Sequence, residues 1–264
     1  MRRYPSFAFD DYPTYLAAVE DLLKTRTAQG MHTTLTLFDP QEYDAYCSQA
    51  HLNPDSPASR SRFTAETAPI GPTLLYDGEP LTGVLSDLIN GAARQATWEY
   101  SSTLLARLGD CASCGTDLGR DAFARATTLL TRILDTATPG QHHLVCHIRA
   151  AQESLITDLQ ADTETHGVVQ LDENEALEFT TVLALGLAAR PGALIVRTAT
   201  PNTPDRVYGW RLHAGIPEPL TPAEVFDGYC TDIENGDPIP PEPDVDYNAP
   251  PELGPHHPTP QHHH

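Results

Sequence analysis

The segment from Asp172 to Leu212 limits the fold more than any other. Asp172 and Glu175 set an Asp-x-x-Glu capping pattern ahead of an apolar run, so residues 173–189 are predicted to be a helix. Glu173, Glu175 and Glu178 crowd its positive end and Arg190 sits at its negative end. Arg190-Pro191-Gly192 stops the helix. Two β-type runs follow, Ala193 to Thr198 and Arg206 to Leu212, across the turn-forming loop Pro201-Asn202-Thr203-Pro204-Asp205. A capped helix leading into a hairpin argues for an α+β or mixed α/β chain, in which a small sheet is packed by helices and a β-hairpin lies toward the C-terminus.

The segments before it fit that class. Leu16, Val19, Leu22 and Leu23 recur at helical spacing in residues 12–28, and Gly30 ends that helix. A strand is expected from His32 to Phe38, then a short helix with Asp39 as N-cap and Pro40 at its first position. Residues 52–73 are rich in Pro, Ser, Thr and Ala without periodicity and are expected to be a linker or long loop. A short strand, Thr73 to Tyr76, precedes a helical pattern from Leu81 to Leu108 with a break at Asn90-Gly91. A further helix covers about 120–137. His143 to Ile148 is a strand candidate, 151–161 is weakly helical, and Gly167 to Leu171 is a short strand. Thr221 caps a last helix, with Pro222 at its first position. The expected divisions are an N-terminal α/β subdomain (1–51), the linker (52–73), a main α/β body (74–235) and a disordered or extended acidic Pro/His-rich tail (236–264). Deleting that tail is expected to leave the fold intact and to weaken a partner complex.

Charge excludes some function classes. The formal net charge is −20, and ten acidic residues but no Lys or Arg follow Arg211. Such a surface repels phosphate backbones and anionic membranes, so neither nucleic acid nor membrane is an expected partner. Ordered double rows of carboxylates, which a DNA mimic needs, are not expected from an excess placed so far toward the tail. The sole lysine, Lys24, among many arginines, together with abundant Ala, Thr and Asp, suggests a GC-rich bacterial genome. The N-terminus lacks the apolar region of a signal peptide, and five cysteines, an odd number, argue against a secreted disulfide framework. A cytoplasmic protein is expected.

The one chemically pointed feature is Cys111-Ala112-Ser113-Cys114-Gly115. Two thiolates at this spacing on a tight turn can both reach one tetrahedral zinc, and glycine after the second permits the left-handed conformation such turns use. A complete site needs two more ligands, and the nearest cluster is His142, His143, Cys146 and His147. On a strand, His143 and His147 share a face but stand ~13 Å apart, too far for one metal. The expected metal set is therefore Cys111 and Cys114 with His143 or Cys146. A redox dithiol is a second reading, weakened because the next helix starts several residues beyond Cys114. An ordinary helix-to-helix loop is the third.

Other residues carry blander expectations. Cys47 and Cys230 lie on apolar helical faces and are expected in the core. Asp162, Glu164 and His166 could grip a divalent ion or form an acid–base pair, against the simpler reading of a solvated loop. The five C-terminal histidines are taken as tail composition. Trp98 and Trp210, near arginines, could line a ligand pocket but fit core contacts. Phosphate-binding, dinucleotide, zincin and hydrolase-elbow motifs are absent from the sequence. The expected function is a non-enzymatic interaction or accessory protein with a structural zinc and a protein partner. The alternative is a small-molecule enzyme or metal-dependent hydrolase whose site assembles only in space.

Overall fold

The computed structural model describes residues 11–67, 72–150, 154–164, 168–188, 190–213, 215–232 and 235–253. It is an α+β molecule of two compact units, Met1–Gln95 and Ala96–His264. The first holds α1 (Tyr12–Ala28), β1 (Thr34–Thr36), α2 (Pro40–Gln49), α3 (Pro57–Thr67), β2 (Thr73–Leu75) and the start of α4 (Leu81–Ala106), within which the chain passes to the second unit. β1 and β2 pair antiparallel, Thr34 opposite Leu75. Asp11 and Asp39 cap α1 and α2 through side-chain acceptance of backbone N–H groups. One small core joins Leu23 to Tyr76, Leu81, Val84 and Leu88; another joins Tyr43 and Cys47 to Phe63.

The expected linker at 52–73 contains α3. Its sequence has no apolar period because one residue does the anchoring: Phe63 packs edge-on against Tyr43 at 5.2 Å and Tyr46 at 5.3 Å. The expected break at Asn90-Gly91 does not occur, since α4 is continuous; a lone helical glycine costs only about 1 kcal/mol.

The second unit is built on a seven-stranded sheet. It contains α5 (Leu118–Thr136), β3 (Gly140–Arg149), β4 (Ser154–Thr163), β5 (Val169–Leu171), α6 (Glu173–Leu187), β6 (Gly192–Ala199), β7 (Asp205–His213), β8 (Ile216–Pro219), α7 (Pro222–Tyr229) and β9 (Val245–Tyr247). The order is β5-β4-β3-β6-β7-β8, antiparallel throughout, with β9 added parallel to β7. The β6–β7 hairpin is the one expected from sequence. Asp172 and Thr221 cap α6 and α7, the latter with a complete capping box. Leu129, Leu130 and Ile133 of α5 and Phe179, Leu183 and Leu185 of α6 form one core with Leu144, Ile148, Leu159, Leu194 and Trp210 of the sheet. Every residue of α6 from Glu178 to Leu187 is buried, among them Glu178, which accepts from Thr157 Oγ1 at 3.1 Å, and Thr181, which donates to Leu177 O at 2.7 Å.

Residues 151–161, read as weakly helical, include most of β4; 151–153 lie outside the described residues. Burial alternates strictly along it: Leu155, Thr157, Leu159, Ala161 and Thr163 face the core, and Ile156 faces out. The period-2 pattern was hidden because three inward positions are Thr or Ala and an outward one is Ile. The start of the acidic tail is extended rather than disordered. Residues 237–239 bond the loop after α7, and β9 is paired to Asp205–Val207 of the sheet. Residues 254–264, with the five histidines, lie outside the described residues. Among the described residues no helix is long and apolar enough to cross a membrane.

Candidate functional site

The Cys111–Cys114 turn is closed by its own backbone. After α4, Gly109 adopts φ +65° and its carbonyl accepts the Leu118 N–H at 3.0 Å. Inside that ring Asp110 and Asp117 form an antiparallel bridge, and the Cys111 N–H donates to Thr116 O at 2.8 Å. The Gly115 N–H then donates back to Cys111 O at 2.8 Å. Gly115 has φ +70°, the conformation that makes glycine the residue of choice after the second cysteine. Asp117 completes the turn by capping α5, accepting the Arg120 N–H at 2.9 Å.

This geometry gathers donors on one sulfur. Cys111 Sγ lies 3.1 Å from Ser113 Oγ, and the Ser113 and Cys114 backbone N–H groups and the Cys114 thiol also hydrogen-bond to it. The Ser113 hydroxyl, then those two N–H groups, lower the Cys111 pKa to about 6. The Cys114 thiol is also 3.2 Å from Thr116 Oγ1. Cys111 is partly exposed and Cys114 exposed, and no disulfide links any of the five cysteines. Two adjacent sulfurs, one held as thiolate, can occupy one edge of a tetrahedral metal site or form a disulfide. Ser113 and Thr116 supply donors that the cysteine spacing did not reveal; polar residues inside and just after a Cys-x-x-Cys turn were the available signal.

Gly119 fixes where the turn sits. A Cβ there would lie 2.7 Å from the Leu105 carbonyl oxygen, so the first turn of α5 rests against the last turn of α4 backbone to backbone. Neither partner is a side-chain tip that could swing away. Gly119→Ala is expected to cost about 1–3 kcal/mol, the usual range for overpacking. An unchanged urea midpoint would show that this approach can relax.

The other expected ligands do not join the turn. Side chains alternate along β3, so His142 and Cys146 enter the core while His143 and His147 lie on the opposite face. Cys146 is fully buried, and burial pushes its thiol pKa up, keeping it protonated. His143 sits 3.3 Å from Asp158 on the neighbouring strand. His142 is 3.0 Å from Thr198 Oγ1, and burial lowers its pKa. Among the described residues, no three His, Cys, Asp or Glu side chains gather closely enough to hold one metal ion. His166 lies outside the described residues; its neighbour Glu164 accepts a hydrogen bond from Gln170 at 2.8 Å.

Cys47 and Cys230 are core residues, the latter 3.4 Å from Tyr247 Oη. Trp98 borders a shallow groove of about 310 Å³ with Asp117, Arg120 and Phe123, beside the cysteine turn. Trp210, itself buried, backs an apolar cavity of about 280 Å³ with Leu129, Arg132, Ile216 and Leu253.

Comparison with known proteins adds one match: a family model described as a domain of unknown function (DUF8829) matches residues 1–79. That stretch lies in the first unit and stops short of the cysteine turn. Nothing matches the chain among curated proteins or among solved structures.

Proposed function

We propose that this chain is a non-enzymatic interaction or accessory protein, working with a protein partner in a reducing compartment such as the cytoplasm, and that Cys111 and Cys114 hold a structural zinc. The observation that carries the reading is the closed turn itself. Its hydrogen bonds bring two sulfurs together and direct backbone N–H groups at one of them, so both can meet a single ion. Sulfurs on one edge of a tetrahedral zinc stand about 3.8 Å apart at a Zn–S length of about 2.3 Å, a spacing a two-residue gap allows. A redox dithiol fits less well, because α5 begins only at Leu118 and the pair is not seated on the helix N-terminus.

Metal analysis of the full chain under reducing conditions tests this. Zinc retained by the wild type is expected to fall in Cys111→Ser/Cys114→Ser, together with the melting temperature. Cobalt substitution separates the cysteines from the C-terminal histidines, since only thiolate ligands give intense sulfur-to-metal charge-transfer absorption. Equal zinc content and no such absorption in the wild type would reduce the turn to an ordinary loop.

The cavity of about 280 Å³ beside Trp210 favours a second reading, a small-molecule site, as the alternative enzyme function requires. Its walls are mainly Leu, Ile, Pro and Trp with arginines, which suits a mostly apolar ligand.

A further inference from the structure

We infer that the cysteine turn is half of a metal site that a second copy of this chain completes, so that one zinc held by four thiolates joins two molecules. The inference rests on the zinc reading above and specifies what fills the rest of the coordination sphere. A structural zinc takes four protein ligands, and the turn offers two. Among the described residues no third ligand stands beside them. The ligands expected from β3 are diverted, Cys146 into the core and His143 to the outer face of the sheet.

The turn is built for close approach. Residues 112–116 are all exposed, and apart from Cys114 they are Ala, Ser, Gly and Thr. Within residues 112–116 no side chain is bulky or charged. Charge permits it as well. In a chain of net charge −20, most surfaces of two copies repel. The stretch 107–120 is an exception, because Arg107 and Arg120 balance Asp110 and Asp117. Two copies therefore bring four arginines and four aspartates, a locally neutral surface that adds no repulsion to the net −2 of four thiolates around Zn²⁺. A two-fold axis through the metal supplies two identical ligands from each molecule, the arrangement of an isologous dimer.

Titrating the reduced, metal-free full chain with ZnCl₂ and following mass by light scattering tests the inference. The expected endpoint is half a zinc per chain bound to cysteine, with a doubling of mass that a chelator reverses. Cobalt at the same endpoint should give the ligand-field spectrum of four thiolates. Cys111→Ser/Cys114→Ser should stay monomeric with an unchanged circular dichroism spectrum. One zinc per chain on the cysteines of a monomer would overturn the sharing while leaving the zinc reading standing. A dimer that persists with chelator or in the double variant would also overturn it. No cysteine-bound metal at all would remove both readings.

Discussion

A chain ending at Asn235 is expected to lose on the order of 3–5 kcal/mol of stability from its sheet-bearing unit. The missing residues close one edge of β7. Asp205 N–H donates to Asp244 O at 2.9 Å, and Asn248 N–H to Val207 O at 2.8 Å, bracketing the β9 pairing. Removing them leaves Val207, now fully buried, at an open strand edge. Tyr247 would also go, with its edge-on contacts to Phe226 at 5.1 Å and Tyr229 at 5.9 Å. So would Glu242, which accepts from Arg197 Nη1 at 2.9 Å; Arg197 would keep Asp205 at 2.7 Å and the Tyr229 hydroxyl at 3.0 Å. The half-exposed ion pair adds little by itself. The edge hydrogen bonds at about 1 kcal/mol each and the aromatic contacts at about 0.5–1.5 kcal/mol each carry most of the loss, offset by the entropy of ordering the strap. Urea denaturation of the truncated and full chains measures it. Coincident midpoints would restore the sequence-based expectation that everything after residue 235 is dispensable to the fold.

The second expected result concerns Cys111 in the reduced, metal-free protein. At pH 6 a thiol with a pKa of about 6 is half ionised. One at the ordinary value of about 8.5 is only about 0.3% ionised. The more acidic thiolate is intrinsically less nucleophilic, which offsets about ten-fold of that gain. Exchange with a small disulfide reagent at pH 6 should therefore run about ten times faster than for an ordinary exposed cysteine. The sign follows from a lowered acid pKa: reactivity persists as pH falls toward 6 and is lost below it. Cys111→Ser should abolish the fast phase, because Cys47, Cys146 and Cys230 are buried and the donors that stabilise the thiolate gather on Cys111, leaving exposed Cys114 to react in the slow phase. A rate profile with its midpoint between 8 and 9 would show that the Ser113 and backbone donors do not hold the thiolate in solution.

Features set by local backbone chemistry were legible in the sequence. Asp39, Asp172 and Thr221 cap the helices they were expected to cap, because a short polar side chain beside the first free N–H groups acts within one turn. The β6–β7 hairpin was legible for a similar reason, since its loop chemistry lies between two apolar runs. Features that depend on distant partners were not. α3 is held by one phenylalanine inserted between two tyrosines of another helix, and β9 by a strand that lies forty residues earlier in register, Asp205 opposite Val245. At the candidate site, the turn and its glycine could be read directly. Alternation alone excludes His143 and Cys146 as joint ligands, since three apart on a strand they must face opposite ways; that Cys146 is the one taken into the core needed the structure. What alternation could not reveal is that the core accepts His142, which Thr198 across the β3–β6 pair makes possible.

The parallel docking of β9 on β7 also bears on biosynthesis. β3, β4, β6 and β7 all precede residue 214, and β8 covers only Trp210–His213, so the Asp205–Val207 half of the outer edge of β7 stays open until residues 245–247 have emerged. During that interval a nascent chain carries an unpaired strand edge beside Val207, the kind of surface that recruits strands from neighbouring chains. The prolines that flank β9 at 238, 240, 241, 243, 250 and 251 cannot donate to a ladder, so the strap that finally covers this edge is a poor template for further strands.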